Sequence, residues 1–366
     1  MIQIRSPGRI CLFGEHQDYL GYSTLSMAIS KYIYLKAKKN NQKRFSIHLL
    51  DFNRIFEIPL KNRQLAYESE RDYLRSGYNQ FIKKGIKFKQ GFDIKINGDI
   101  PINSGAASSS ALVVAWLYFL NLISNRPLNK TELALEGFNT EVREFKEAGG
   151  HMDFFNAVFG HVLFLNSQKN ILDKRVYKIQ LPGFILGASL QKKNTVEDLK
   201  RIKKDTLHAF EIIKEIFPDF NKYNTKLVEI RDHLDSIKNR YRKKIIGNLI
   251  NRDITIRAKQ HLEKYLKYLK EQNQNQINQF YKKLGVLINE HQAQLQHNIG
   301  ITTTKIDKMI RHCIDAGALG AKINGSGFGG TVFAFGIDKQ KDIMRAIQQT
   351  GGIPYKISPV AGVETY

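Results

Sequence analysis

The chain has 366 residues, of which 42% are hydrophobic and 25% charged, so gross disorder is excluded and more than one packed unit is expected. Its formal net charge is +23, but runs of lysine and arginine at 200–204 and 240–244 alternate with apolar residues. This pattern favours solvated helix faces over a nucleic-acid-binding surface, although a basic protein also attracts anionic ligands such as nucleotides. Only two cysteines occur, Cys11 and Cys313, which indicates neither a disulfide framework nor a cysteine zinc site.

The first half of the chain combines short strands with helices. Runs of β-branched and aromatic residues predict strands at 2–5, 32–38, 45–50, 92–96 and 160–166. Apolar periodicity predicts helices at 111–124 and 130–147. No apolar run is long enough to span a bilayer, and the first residues lack the apolar core of a signal peptide. We therefore expect a cytoplasmic protein with no membrane or nucleic-acid partner, present as a monomer or homodimer.

The second half of the chain is rich in helix from residue 196 to residue 295, with a polar patch at 272–276 that predicts a loop. Strands are predicted at 320–324 and 331–335, followed by a helix beginning at Lys339 and a closing strand. Because strands and helices do not alternate strictly, the pattern favours an α+β fold. A change in composition at 183–190 predicts two domains, residues 1–185 and 186–366.

The first segment with candidate chemistry spans residues 6–19, SPGRICLFGEHQDY, and its proline and glycines at 7, 8 and 14 predict turns. Glu15, His16 and Asp18 place three titratable groups within four positions. Such groups either lie on a solvated loop or hydrogen-bond the hydroxyls of a sugar. Arg9 can supply a fixed positive charge beside them.

The second segment, residues 98–111 (GDIPINSGAASSSA), leads directly into the predicted apolar helix. Small residues let the backbone approach a ligand closely, and a helix N-terminus favours an anion there. The serines at 108–110 add hydroxyls suited to phosphate or Mg²⁺. One serine would be enough for an ordinary helix cap, so three after a glycine and two alanines favour phosphate binding.

The third segment, residues 322–330 (KINGSGFGG), contains the spacing G-x-G-x-x-G at Gly325, Gly327 and Gly330. The dinucleotide-binding fingerprint must open a helix, whereas Thr331 begins a strand-like run. A strand, a glycine loop and a second strand are predicted instead, either as a plain hairpin or as a loop that packs against phosphates. The signatures of P-loop enzymes and of protein kinases are absent from the sequence.

Two acidic residues between these segments complete the requirements for phosphoryl transfer. That reaction needs Mg²⁺ ligands, positive charge near the phosphates and a group that orients or deprotonates the attacking hydroxyl. Glu141, with a serine hydroxyl, is a candidate Mg²⁺ ligand through hard oxygen atoms, and Asp153 is a candidate proton acceptor. Considered alone, Glu141 would be interpreted as a residue on a helix surface.

In order and spacing, these segments resemble the GHMP kinase superfamily, whose three motifs are matched by residues 7–19, 101–111 and 322–330. Within it the chain looks closest to galactokinase, because 14–19 resembles the sugar-binding signature and 150–153 the segment with the catalytic aspartate. The resemblance implies a two-domain GHMP kinase fold with the active site in the interdomain cleft. It also implies an enzyme that uses ATP and Mg²⁺ to phosphorylate a small sugar-like substrate at the anomeric hydroxyl.

The resemblance further implies a role for each matched residue. Asp153 would be the catalytic base, Arg9 its charged partner, and Ser109 and Glu141 the Mg²⁺ ligands, with Ser108 as the alternative serine. The sugar would be contacted by Glu15, His16 and Asp18. ATP would be bound by small residues of the second and third motifs: Gly105, Ala106, Ala107, Ser108, Ser109, Gly325 and Gly327.

Several positions depart from the galactokinase pattern around the expected acceptor pocket, including Cys11, Gln17, Phe154 and the segments 20–22 and 103–107. They leave the kinase chemistry intact, but the acceptor is either galactose, another hexose, a modified sugar or a sugar phosphate. A mevalonate-type acceptor is a second alternative. A non-catalytic sensor of sugar and ATP is a third, and the presence of Arg9, Glu141 and Asp153 weighs against it.

Overall fold

A computed structural model describes residues 1–101, 105–168, 172–191 and 195–366. Residues 102–104, within the predicted second motif, lie outside the described residues. The elements of the first half are β1 (Ile2–Phe13), β2 (Thr24–Asn40), β3 (Arg44–Leu49), β4 (Arg54–Pro59), α1 (Tyr73–Lys83), β5 (Gly91–Gly98), α2 (Ser108–Leu122), α3 (Lys130–Phe138), α4 (Met152–Phe159), β6 (Val162–Asn166) and β7 (Asp173–Tyr177).

The second half begins with one strand, continues through three long helices and ends in a mixed segment. Its elements are β8 (Phe184–Ala188), α5 (Thr195–Ile216), α6 (Asn239–Lys270), α7 (Gln274–Gln294), α8 (Thr304–Asp315), β9 (Gly320–Asn324), β10 (Thr331–Phe335), α9 (Gln340–Gln349), β11 (Ile353–Ile357) and β12 (Glu364–Thr365). The loop predicted at 272–276 is confirmed as a break between α6 and α7, but the prediction is wrong for residues 274–276 because they already belong to α7.

Within the described residues, two β-sheets organise these elements. The larger sheet has the strand order β12-β1-β2-β5-β3-β4, with β6 paired to β2 and β7 to β6. The smaller sheet has the order β11-β8-β10-β9. Neighbouring strands are antiparallel except for β3 and β5, which are parallel. The predicted α+β fold is confirmed.

The main hydrophobic core lies between the larger sheet and the first-half helices. Alternate residues of β5, namely Phe92, Ile94 and Ile96, are buried, while Asp93 and Lys95 between them are exposed, as expected for a strand with one face on the core. Helix α2 is apolar on nearly all sides and is therefore buried along most of its length. A buried α2 holds its N-terminus in a fixed position relative to β1.

The structure corrects two interpretations of local sequence. Pro7 and Gly8 do not form a turn, because they lie within β1, where a shift in register marks a β-bulge against β2. The predicted helix at 130–147 ends earlier: α3 stops at Phe138, and a single π-helical turn, Asn139–Arg143, follows. Glu141 lies on this turn, which widens the helix near the site.

The predicted division at residues 185 and 186 falls inside β8, whose five residues pair with β10 and β11 of the smaller sheet. The smaller sheet therefore includes the whole of β8. The assignment of residues 1–185 and 186–366 to separate domains stays a prediction.

Candidate active site

The three glycine-bearing segments meet at one point of the structure. The Arg9 backbone N–H donates to the Ala106 carbonyl oxygen (3.0 Å), and the Asn324 amide donates to the Gly105 carbonyl oxygen (3.0 Å). The backbones are so close that a Cβ added at Gly8 would lie 2.7 Å from the Ala106 oxygen, and one added at Gly325 would lie 2.5 Å from the Gly105 oxygen. Glycine is required at both positions because any side chain would collide with the neighbouring segment.

The predicted base and its charged partner form a bidentate ion pair. Arg9, on β1, donates from Nε and Nη2 to the two carboxylate oxygens of Asp153, at 2.7 and 2.9 Å. Its Nη1 donates to the Gly105 carbonyl oxygen at 2.5 Å. Burial acts to lower the pKa of Arg9, but the carboxylates of Asp153 and Glu15 outweigh it and raise the pKa above its ordinary value. Arg9 therefore links the predicted base directly to the second motif.

A small pocket of about 80 Å³ opens above this pair. It is lined by all five residues that were predicted to contact the sugar or act on it: Arg9, Glu15, His16, Asp18 and Asp153. The remaining lining residues are Tyr19, Gly149, Gly150, Met152, Leu199 on α5, and Gly325 and Ser326 in the loop between β9 and β10. The predicted residues, from positions 9 to 153, thus converge on one cavity.

A buried lysine holds one wall of this pocket and was not identified from the sequence. Lys322, on β9, is fully buried, and its Nζ donates to Glu15 Oε2 at 3.0 Å and to the Cys11 carbonyl oxygen at 2.8 Å. A lysine between the apolar residues of a strand indicates a buried acidic partner, because a buried ammonium without a partner is unfavourable. Lys322 fixes the position of Glu15.

The other acidic and imidazole groups of the pocket are also held in place. His16 contacts the Tyr19 hydroxyl through Nδ1 (2.8 Å) and the Ser326 carbonyl oxygen through Nε2 (3.1 Å). Asp18 accepts a hydrogen bond from the Tyr19 backbone N–H at 2.8 Å. Burial, reinforced by the carboxylate of Asp153, raises the pKa of Asp18 to about 7. The pocket therefore presents groups that can both donate to and accept from hydroxyls.

The predicted phosphate-binding segment leads into α2. Ala107 has a left-handed backbone conformation, with φ of 60°, and Ser108 is the first residue of the helix. The first N–H groups of a helix have no partner within it and point outward from its N-terminus. The helix dipole favours an anion at this end. Gly105, Ala106, Ala107, Ser108 and Ser109 thus lie where a phosphate chain can be bound. In the loop between β9 and β10, Gly325 lies against Gly105, whereas Gly327 lies against Ile301.

Glu141 is buried beside this helix rather than exposed on a helix surface. Ser109 and Ser110 donate from Oγ to its two carboxylate oxygens, at 2.7 and 3.1 Å, whereas no such bond joins it to Ser108. Burial raises the pKa of Glu141 to about 7, although the two serine hydrogen bonds act in the opposite direction. Ser109 and Ser110 both lie against Glu141, and the assignment of Ser109 as the second ligand of the metal site stays a prediction.

The donor set of Glu141 and Ser109 fits Mg²⁺, because a carboxylate and a hydroxyl are hard oxygen ligands. Among the described residues, no cluster of three or more histidine, cysteine, aspartate or glutamate side chains is arranged to hold a metal. A two-ligand protein site is what Mg²⁺ uses when phosphate oxygens and water complete its shell.

Two further structural features bear on function. A cavity of about 890 Å³, much larger than the acceptor pocket, lies beside β4 and is lined by none of the predicted site residues, so size alone does not indicate the site. Within the described ranges, every helix is too short or too polar to cross a membrane.

Comparison with known proteins places these features in a family. The galactokinase galactose-binding signature matches residues 2–39, and the N- and C-terminal domains of GHMP kinases match residues 72–161 and 258–352. A mevalonate kinase from Thermococcus sibiricus is 25% identical over 95% of this chain and 93% of its own length. A galactokinase from Actinobacillus succinogenes is 24% identical over 94% of this chain and 88% of its own length.

The fold is also shared with a solved structure. Lactococcus lactis galactokinase complexed with galactose superposes with a TM-score of 0.85 at 21% identity, covering 100% of this chain and 95% of that one. The fold, the site and the matched domains define an ATP-dependent phosphotransferase with an alcohol group as acceptor. The chain belongs to the GHMP kinases, as the resemblance of its motifs indicated. Its acceptor is a small molecule.

Proposed function

We propose that this kinase transfers the γ-phosphate of ATP to a sugar, at the anomeric hydroxyl. The observation that supports this most directly is the pocket in which Glu15, His16 and Asp18 surround the Arg9–Asp153 pair. Carboxylates and an imidazole at fixed positions match the several hydroxyls of a sugar ring. The match of the galactose-binding signature to residues 2–39, which include four of these five residues, supports a sugar over other alcohols.

Asp153 acts as the base that receives the proton of the accepting hydroxyl. Because Arg9 holds both of its carboxylate oxygens, the side chain has a single orientation, and each oxygen keeps a lone pair for the acceptor. Asp153 is also in the first turn of α4, which adds to the fixed position of its side chain. Because the base is already oriented, the reaction does not have to bear the entropic cost of orienting it.

The phosphates of ATP bind at the N-terminus of α2, against the backbone of Gly105 to Ser109. Ser109 and Glu141 would hold Mg²⁺, which would supply positive charge to neutralise the phosphates when it is bound. The Arg9 hydrogen bond to the Gly105 carbonyl oxygen ties this phosphate side to the base. Base and phosphate site are thus positioned by one side chain.

A mevalonate-type acceptor is the second candidate, because a mevalonate kinase is as similar in sequence as a galactokinase. The experiment that separates the candidates measures ATP consumption with hexoses, uronic acids, amino sugars, heptoses and mevalonate in turn. Sugar-dependent turnover that disappears in Asp153→Asn supports the proposal. Turnover with mevalonate alone, or with none of these compounds, refutes it.

A further inference from the structure

A basic groove of about 480 Å³ lies beside the acceptor pocket. One wall is a single face of α5, where Lys200, Lys203 and Lys204 follow the spacing of neighbouring helix turns. The opposite wall is the short segment Lys146 to Ala148. We name these four lysines, at 146, 200, 203 and 204, the groove lysines.

The groove lysines have no carboxylate partner among the described residues. Of the two glutamates in the groove, Glu147 already accepts hydrogen bonds from Arg71 Nε (2.7 Å), from Arg71 Nη2 (3.0 Å) and from the Tyr73 hydroxyl (2.8 Å). The other, Glu211, is exposed and lies 3.4 Å from His208 Nδ1. Four ammonium groups that face one space with little compensating charge create a local positive potential.

Two contacts connect this groove to the acceptor pocket. Lys203 Nζ lies 5.7 Å from the centre of the Tyr19 ring, and Tyr19 lines the acceptor pocket and binds His16. Leu199 lines the acceptor pocket, while Lys200, the next residue on α5, lines the groove. A ligand seated over Asp153 therefore has the groove lysines beside it.

The groove is separate from the predicted ATP phosphate site. None of the residues Gly105 to Ser109 lines it, nor do Ser110 and Glu141. The phosphate site uses a helix N-terminus and small residues, whereas the groove uses flexible lysine side chains that act as point charges. The two basic environments therefore suit two different anionic groups.

We infer that the groove lysines bind an anionic substituent, a carboxylate or a phosphate, on the acceptor sugar, remote from the hydroxyl that is phosphorylated. This inference rests on the proposed sugar kinase function and names its substrate class as an acidic or phosphorylated sugar. A neutral hexose would fill the pocket but leave the groove lysines without a partner.

Binding without ATP tests the inference independently of turnover. Calorimetry compares D-galactose with D-galacturonate and D-galactose 6-phosphate, first with the unmodified protein and then with the triple variant Lys200→Gln/Lys203→Gln/Lys204→Gln. At low salt we expect each anionic sugar to bind about tenfold more tightly than galactose, as several exposed ion pairs together allow. The affinity gained over galactose should be larger for the dianionic phosphate than for the carboxylate, and this difference distinguishes the two substituents.

A matched control removes the same charge elsewhere. The triple variant Lys264→Gln/Lys267→Gln/Lys270→Gln changes three exposed lysines of α6 that line neither the groove nor the pocket. We expect the groove variant to lose the preference for anionic sugars and the control variant to keep it. Raising the salt concentration should weaken the preference in the unmodified protein, because exposed charges are screened.

The inference is overturned if the anionic sugars bind no more tightly than galactose, if their advantage persists in the groove variant, or if that variant raises the KM for ATP instead. The proposed function is judged separately by turnover with ATP. Phosphorylation of neutral hexoses with no preference for anionic ones leaves the proposed function in place and overturns only the inference. Absence of turnover with every sugar refutes the proposed function, while calorimetry still tests what the groove binds.

Discussion

The floor of the acceptor pocket and the groove beside it use charge in opposite ways. We call the two ion pairs Arg9–Asp153 and Lys322–Glu15 the floor, and both of their cations are buried. In the groove, the lysines are exposed or partly exposed and have no ion-pair partner among the described residues. Cationic side chains are therefore paired in the pocket and unpaired in the neighbouring groove.

The difference follows from hydration. A buried charge loses its water and must be compensated by a partner and hydrogen bonds, so removing one partner is strongly destabilising. An exposed lysine keeps its water, and each contact that it makes contributes little and is weakened by salt. Under the proposed function, we expect the floor to fix the geometry of the reacting groups and the groove to tune the affinity for the acceptor.

The largest effect is expected from the predicted base. Asp153→Asn should lower kcat by about 10²–10⁴-fold, because it removes the proton acceptor without adding bulk. ATP affinity should stay nearly unchanged, since the amide oxygen of the substituted side chain is still able to accept one hydrogen bond from Arg9. Steady-state kinetics and nucleotide titration measure both, with the exposed Asp338→Asn as control. Near-normal turnover in the first variant would remove Asp153 from its assigned role.

The second prediction compares a buried ion pair with an exposed one. Lys322→Met should lower the free energy of unfolding by about 3–5 kcal/mol, because it leaves Glu15 buried and unpaired. Arg44→Met, which breaks the exposed pair with Glu57, should lower it by at most about 1 kcal/mol. Urea denaturation measures both values. Equal losses of unfolding free energy in Lys322→Met and Arg44→Met would contradict the distinction between buried and exposed charge. Adding Glu15→Gln to Lys322→Met should recover part of the loss, because it removes the unpaired buried carboxylate.

The third prediction concerns the predicted metal ligands. Glu141→Gln should raise the Mg²⁺ concentration that gives half-maximal rate by at least about tenfold, because it removes the carboxylate of the site. The control is Glu144→Gln, three residues later, whose carboxylate binds Tyr67 and Lys83 instead. Titration of activity with Mg²⁺ compares the two. An unchanged Mg²⁺ response in Glu141→Gln would show that the ligand assignment is wrong.

The smallest effect is a pH dependence from Asp18. Burial raises its pKa from the ordinary value of 3.8 to about 7, so between these pH values the folded protein keeps a proton that the unfolded chain has lost. The contribution of Asp18 to stability therefore falls as the pH rises through this window and is constant above it. Asp18→Asn should therefore gain stability relative to the unmodified protein as the pH rises from 3.8 to about 7, and this gain should stay constant above that range. If the unfolding curves of Asp18→Asn and of the unmodified protein shift equally with pH, the prediction is contradicted.

Much of the catalytic floor could be predicted because its chemistry lies in short motifs. Arg9, Glu15, His16 and Asp18 occur within ten consecutive residues, and the glycine hairpin was recognisable because Thr331 begins a strand. The sequence could not reveal the partner of Lys322, since Glu15 lies 307 residues away. Pro7 and Gly8 were misread as a turn because the pairing of β1 with β2, not local propensity, decides that segment.

The groove shows a second limit of sequence reasoning. The run at 200–204 was interpreted as a solvated helix face, and its lysines are indeed exposed or partly exposed. What the sequence cannot show is that this face lies against Lys146 and beside Tyr19, because those contacts join separate elements. Exposure was therefore predictable from local pattern, and position relative to the pocket was not.

The position of the transferred phosphate tests the proposed function most directly. The product made from ATP and an accepted sugar is examined by ³¹P nuclear magnetic resonance, in which scalar coupling identifies the carbon that carries the phosphate. We predict coupling of the phosphorus to the anomeric proton, and no product from Asp153→Asn. Phosphate on a primary hydroxyl or on another ring hydroxyl would contradict the assignment of the chain as a sugar 1-kinase.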